Sequence, residues 1–289
     1  MRVDIAYVNG RGERLELGGD DASLHYFEHG LRDWSWSWST GAAAGKVSSF
    51  SRRGDKPAEV PFPVGIGAGN AEEGIALRNR VQEVGEHDIA AKSPGRLYVG
   101  DWYLRCWIVA GEPTDYWMDD RIAELDLTLL VDDPGWVLER EMRFVPETGA
   151  DGLAAGADFP CDLPAELKRE RLSKTVSNGA LFPCDFLWRA YGPATDPYVR
   201  VAGNLYKVNV DLPAGSRLEV DSAARSVTVV SQHGERSDAY GDREKGPEGS
   251  GSYIFEKVPV GESSLSWDNS FAFDLVLYDV RTACPWEEG

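Results

Sequence analysis

The sequence predicts a mainly β protein of two domains with one long helix, and three observations carry the prediction. Between Tyr198 and Val230 the residues alternate: Tyr206, Val208, Val210 and Leu212 fall on every second position, with Lys207, Asn209 and Asp211 between them. That is the period of a strand with one buried and one wetted face. Only the run from Asn70 to Gly85 has helical spacing, with Leu77, Val81 and Val84 sharing a face. The length of 289 residues suggests about two domains at roughly 150 residues each, and a Pro-, Gly-, Ala- and Asp-rich stretch begins at 146. The divisions expected are 1–145, a linker or insertion at 146–175, and 176–289.

In chain order, residues 2–17 read as a hairpin, with VDIAYV before the Asn9–Gly10 turn signal and Leu15 and Leu17 after it. In DWSWSWS, Trp34, Trp36 and Trp38 alternate with serine, so a strand there lines three indoles along one face. Such a stripe is a platform for stacking sugars, or it is covered, in the core or against another chain. Residues 41–57 are a loop. Val60, Phe62 and Val64 alternate with Pro61 and Pro63, which cannot donate to a ladder, so this is an edge strand. GIGAGN at 65–70 fails as a dinucleotide loop: Asn70 stands where Gly or Ala is needed, and no βαβ pattern follows. Instead Asn70 and Glu73 begin the helix as a near-capping box, and Gly85 ends it.

Strands follow from Arg96 to Val109, broken at Gly100 and Asp101, then through Leu125, Leu127 and Leu129 to Asp133 and Pro134, then from Val137 to Phe144. In the second half FLWRAY (186–191) precedes the alternating region, whose four strands with short turns are expected to be antiparallel neighbours: one around Tyr198, one from Leu205 to Leu212, one at Leu218 and Val220, and one at Val227 and Val229. Gln232 to Gly251 is a long hydrophilic loop, expected to be mobile unless a neighbour orders it. The final strand, FAFDLVLYDV, is apolar on nearly both faces and belongs at the centre of a sheet.

Charge and composition exclude several functions. The formal net charge of −18 repels phosphate backbones and acidic membrane surfaces. No apolar run approaches the roughly 18 residues of a membrane span, and residues 1–20 lack a signal-peptide order, so a soluble protein made in the cytoplasm is expected. Cys106, Cys161, Cys184 and Cys284 form no C-x-x-C pair and are expected to be reduced, a Cys161–Cys184 bridge being the alternative. His25 and His29 could share a helical face but lack a third ligand. The carboxylate pairs Asp119–Asp120 and Asp132–Asp133 lie in turns and read as solvated. No serine elbow, Walker loop or H-E-x-x-H is present, so no enzyme, cofactor or metal is expected.

Several segments do form a recognisable set: LTLLVDDPGW (127–136), YGPATDPYVRVAGNLYKVN (191–209), LEVDSAARSVT (218–228), PVGESSLSW (259–267) and FAFDLVLYDVRTACPW (271–286). In this order they resemble the siphovirus distal tail protein (Dit) family. Asp133, Pro134 and Trp136 match the family's Asp-Pro-x-Trp before the domain junction. Tyr191, Gly192, Pro193, Asn204, Tyr206, Asp221, Gly261 and Trp267 match the C-terminal pattern, with Asp196 where Asn is commoner.

The resemblance implies an N-terminal β-sandwich with one α-helix and a protruding hairpin, and a C-terminal galectin-like antiparallel β-sandwich. It implies a structural virion protein at the tail tip, assembled in the bacterial host's cytoplasm. There a homohexameric ring would join the tail tube protein to the tail-associated hub protein, its outer domains holding receptor-binding proteins. The other reading of the residues is a carbohydrate-binding or carbohydrate-acting β-sandwich. Size in solution separates the two.

Overall fold

The local signals build two units, residues 1–138 with 280–289 and residues 139–279. The structure, a computed structural model, describes residues 4–18, 23–27, 30–32, 34–41, 46–52, 57–119, 122–146 and 173–285. Cys161, His29, Asp120 and nearly all of the 146–175 linker lie outside the described residues.

In the first unit β1 (Ile5–Val8) and β2 (Arg14–Glu16) form the expected hairpin. Asn9 shapes its turn by accepting from the backbone N–H groups of Arg11 and Glu13 at 3.0 and 2.9 Å. There follow β3 (Leu24–Tyr26), β4 (Trp36–Thr40), β5 (Val47–Arg52), β6 (Ala58–Gly67), α1 (Ala71–Ala91), β7 (Gly95–Val99), β8 (Trp102–Asp119), β9 (Ile122–Val131) and β10 (Trp136–Phe144). One sheet runs β2–β1–β7–β8, with Trp136–Leu138 on the far side of β8; the other runs β3–β6–β9–β8. β8 serves both, pairing β7 through Cys106 and β9 from Trp107 onward. Tyr7, Phe62, Leu97, Leu129 and Trp136 belong to the core of this unit.

Three expectations here are corrected. The stretch 41–57, expected as a loop, contains β5 paired to β4. β6 is an edge only in its first half, where the prolines lie. β3 covers Val64–Ile66 on the side away from β9 and makes that half interior. The helix does not stop at Gly85 but runs to Ala91, ending where Lys92 turns left-handed at φ 52°. Gly85 serves close packing instead: a Cβ there would lie 3.0 Å from the Ile108 Cβ. The helix start is as read, Asn70 accepting from Glu73 N at 2.9 Å and the Glu73 carboxylate accepting from Gly69 N at 2.8 Å. Asn70→Ala is expected to cost ~1 kcal/mol, seen as faster amide exchange in the first helical turn; unchanged exchange would show the cap to be dispensable.

The second unit contains β11 (Ser173–Asn178), β12 (Asp185–Tyr191), β13 (Ala194–Thr195), β14 (Tyr198–Val201), β15 (Asn204–Lys207), β16 (Asp211–Leu212), β17 (Arg217–Asp221), β18 (Ser226–Val230), β19 (Arg236–Asp238), β20 (Gly261–Ser266) and β21 (Phe273–Arg281). One sheet is β19–β18–β17–β12–β21, with β10 next to β21, and the other is β11–β20–β14–β15. Their inner faces share a core containing Phe186, Trp188, Leu265, Trp267 and Phe273, the arrangement of a β-sandwich. β21 is buried on both faces from Phe273 to Leu277, as its sequence predicts.

The alternating region is not one meander. β14 pairs β15, and β17 pairs β18, but the strand expected from Leu205 to Leu212 breaks after Lys207 and the chain passes to the opposite sheet. The burial alternation survives the break: Tyr206, Val208 and Leu212 are all buried. The expected loop at 232–251 contains β19, paired to β18, a 3-10 turn at Tyr240–Asp242 and a bridge from Arg243 to Val208. Tyr240 stacks on Phe255 and has the Arg243 guanidinium 3.6 Å from its ring centre, so rings and a guanidinium order a segment whose composition reads as loop. The chain's last residues return to the first unit, where Cys284 is buried in the core; the sequence divisions place them in the second domain.

Candidate functional site

The alternation of tryptophan with serine does make a strand, and β4 pairs β5 with Trp36 opposite Arg52 and Trp38 opposite Phe50. The ribbon pairs with no other strand among the described residues. Trp34, Trp38 and Phe50 are 68%, 66% and 67% exposed, and Trp36 is half-buried. Packing of the stripe in the core is therefore overturned. The core of the first unit is filled from its two sheets by residues such as Trp102 and Trp136, and the ribbon pairs with neither sheet among the described residues. Exposed aromatic surface of this extent is unusual on a soluble chain.

The motif residues have a different character, each holding a turn or a core. Asp133 accepts from Gly135 N at 3.3 Å and pairs with Arg105, Pro134 follows it in the turn, and buried Trp136 donates its indole N–H to Leu31 O at 3.2 Å. The Tyr191 hydroxyl donates to Asp274, and the Gly192–Pro193 peptide is cis. Asp196 and Gly261 have positive φ. Asn204 donates to Tyr253 O at 2.9 Å and Tyr206 to Glu256 O at 2.8 Å. Asp221 accepts from Ala223 N and Ala224 N, closing the β17–β18 turn, and Trp267 meets Phe273 edge-on. These residues fix the scaffold and form no common cleft.

Sequence reasoning missed Asp88, which is fully buried. It accepts from the Tyr7 hydroxyl at 2.6 Å and from Gly10 N at 2.8 Å, tying the last turn of α1 to β1 and the first hairpin turn. Burial first, then the bond to Asp88, holds the Tyr7 hydroxyl well above the ordinary tyrosine range. The signal was present, since Asp88 shares a helical face with Val81 and Val84.

Cys106, Cys184 and Cys284 are unbridged and buried; desolvation pushes the Cys184 thiol up to about 11. Among the described residues no group of three His, Cys, Asp or Glu could hold a metal ion, and no helix is long and apolar enough to cross a membrane.

On the β12–β17–β18–β19 sheet, Glu219 takes bonds from Arg217 and Arg236. Burial alone would raise its carboxyl, but the Arg217 bond and the charges of Arg236, Arg217 and Arg189 outweigh burial and leave it below the usual range. The stabilisation is present above the unfolded carboxyl's pKa and is lost as pH falls through the lower folded value. Glu219→Gln is thus expected to weaken the second unit at neutral pH, with the two stability curves converging below about pH 4. Parallel curves across that range would disprove the linkage.

Two concavities lie among the described residues. One, about 300 Å³, lies between α1 and β8, over Val81, Gly85, Ile108 and Leu125. The other, about 540 Å³, lies in the second unit around Asp185, Ser222, Arg225 and Lys257. In the latter the Asp185 carboxylate is occupied by the Lys257 ammonium at 2.8 Å and the Ser222 hydroxyl at 3.1 Å, a structural ion pair.

No protein-family profile matches the sequence, and no curated protein matches it. Solved structures do match, over nearly the whole chain. The Dit protein of phage SPP1, described as a paradigm of the hub adsorption apparatus in phages infecting Gram-positive bacteria, superposes with a TM-score of 0.53 at 10% identity, covering 97% of this chain and 99% of that one. Chains of the phage p2 baseplate in its activated conformation, solved with calcium and with strontium, give a TM-score of 0.63 at 9% identity, covering 98% of this chain and 100% of theirs. The fold is that of these hub and baseplate proteins.

Proposed function

We propose that this chain is a structural protein of a phage tail tip, a distal tail adaptor of a siphophage or prophage. In this reading it forms a homohexameric ring that joins the tail tube protein to the tail-associated hub protein. The second, galectin-like unit faces outward and is available to a receptor-binding protein. The observation that carries the proposal is the extent of the likeness: 97% or more of this chain is matched by 99% or more of each hub or baseplate chain. A shared sandwich alone would say little, because such folds host many functions. Two units matched together, with the motif residues in order and an uncovered aromatic ribbon, make a narrower case. The work is done by surfaces and calls for no catalytic group or cofactor. The site of action is the virion tail tip, after assembly in the host cytoplasm.

The test is the size of the purified full chain. Light scattering is expected to give about six protomers, with rings in negative stain. A chain that stays monomeric at about 10 μM, above the affinity range of a stable specific interface, and binds cell-wall glycan would instead make it a carbohydrate-binding protein.

A further inference from the structure

The cavity of about 540 Å³ in the second unit falls within the size range of small-ligand sites. Three segments wall it: the start of β12, the turn between β17 and β18, and the stretch from Glu248 to Pro259 that leads to β20. It therefore lies at strand ends and not on a sheet face. Each segment is held in place. Cys184 and Val258 exchange both backbone bonds at 2.9 Å, and the buried Ser222 hydroxyl accepts from Phe186 N at 2.7 Å. Asn204 and Tyr206 bind the carbonyls of Tyr253 and Glu256. Two of the scaffold residues thus preform a wall of this cavity.

Arg225, in the lining, is exposed, and its guanidinium has no bonded partner among the described residues. Its backbone is left-handed, at φ 51°. That conformation in a hairpin turn favours glycine or asparagine, so the turn itself gives no reason for arginine. The rest of the lining is mixed in sign, with Asp185, Glu248 and Glu256 set against Arg225 and Lys257. An anion there meets the carboxylates and a cation meets the basic groups, so neither suits the site. A neutral ligand rich in hydroxyls suits both, because each hydroxyl donates and accepts. The Asp185–Lys257 pair leaves acceptor sites on the carboxylate and N–H donors on the ammonium for such a ligand. Tyr253, Pro183 and Pro259 add apolar surface that matches the C–H faces of a sugar ring.

We propose that this cavity binds a neutral saccharide of about one or two rings, with the Arg225 guanidinium donating to ring hydroxyls and Tyr253 against an apolar ring face. Saccharide binding is then a second function of the chain. It is carried by the second unit alone and does not depend on whether copies assemble.

The experiment applies the full chain, carrying a terminal peptide tag for detection, to an array of immobilised neutral, acidic and basic glycans. The neutral glycan captured best is then titrated in solution by calorimetry, where the affinity per site is free of multivalency. Capture by neutral glycans is expected. Arg225→Gly is expected to weaken the solution affinity about tenfold or more, through the loss of hydrogen bonds from a charged donor. The same variant is expected to be at least as resistant to heat, because glycine accepts the left-handed backbone without strain. Trp38→Ala, on the exposed ribbon, is expected to leave the solution affinity unchanged, which separates the cavity from the aromatic stripe as the place of binding. Full affinity in Arg225→Gly, an affinity lost in Trp38→Ala, or capture by charged glycans alone overturns the proposed site, as does capture by no neutral glycan. A hexamer that captures no glycan overturns this site and leaves the adaptor reading standing. A monomer that binds neutral glycan through Arg225 keeps the site and overturns the adaptor reading.

Discussion

Gly192→Ala is expected to destabilise the second unit by about 3 kcal/mol, toward the upper end of the range for overpacking. The reason is what a methyl group would strike. A Cβ on Gly192 would run into the Pro213 carbonyl oxygen and lie 2.8 Å from that of Leu212. Both are backbone atoms, so no rotamer change relieves the clash. Gly192 also donates its N–H to Ser216 O at 2.9 Å, and the Ser216 hydroxyl donates to Pro213 O at 2.6 Å, so the obstructing turn is itself tied down. This is the place where the chain, having left β12, lies against the turn that carries it from β16 to β17. Moving that turn disturbs the register of β17 on β12. Hydrogen exchange resolved by segment is the suitable readout, because a chain of two units need not unfold in one step. Faster exchange in β12, β17 and β18 is expected, with α1 and β1 unchanged. Native protection throughout the second unit would show that the turn yields cheaply.

What the sequence made legible divides along the range of the interactions. The first hairpin, the Asn70 cap and the Asp221 turn were readable because each is set by side chains bonding backbone a few residues away. The alternation at Tyr206, Val208 and Leu212 correctly identified the inward face even though the strand is interrupted. It could not identify the neighbours, because passage from one sheet to the other at Pro213 depends on contacts with distant strands. The tryptophan stripe shows the same limit: alternation says that three indoles share a side, not that anything in the same chain covers them. Gly85 was read as a stop when its role is to admit Ile108, a contact invisible in helical phase. For 232–251 composition argued for a loop, and the ring of Phe255 beneath Tyr240 decided otherwise. The pattern of Tyr191, Gly192, Pro193, Asn204 and Trp267 did point to the overall fold, because those residues meet demands of the scaffold itself.

Asp88→Ala is expected to cost the first unit about 3 kcal/mol, the low end of what breaking a buried charged network costs. The carboxylate has no exposed surface, and both oxygens are engaged: Oδ1 by Gly10 N and, at 3.2 Å, by His87 Nδ1, and Oδ2 by the Tyr7 hydroxyl. Alanine removes both acceptors. Tyr7 keeps a weaker bond to Cys106 O at 3.3 Å, so the main uncompensated group is the Gly10 N–H, a penalty of roughly 1–3 kcal/mol. The vacated space adds a cavity term. Asp88→Asn keeps one oxygen and nearly the same shape, so its cost is expected to be about half. Tyr7→Phe removes the other side of the Oδ2 bond, and a double-mutant cycle isolates that bond from the rest. A coupling of ~1.5–3 kcal/mol between Tyr7 and Asp88 is expected for a hydrogen bond to a charged group. The effect must appear as faster exchange both in the last turn of α1 and in the Asn9–Glu13 turn, the two segments that the carboxylate holds together. Loss of protection in the helix alone would mean that Asp88 stabilises the helix end and does not join it to β1.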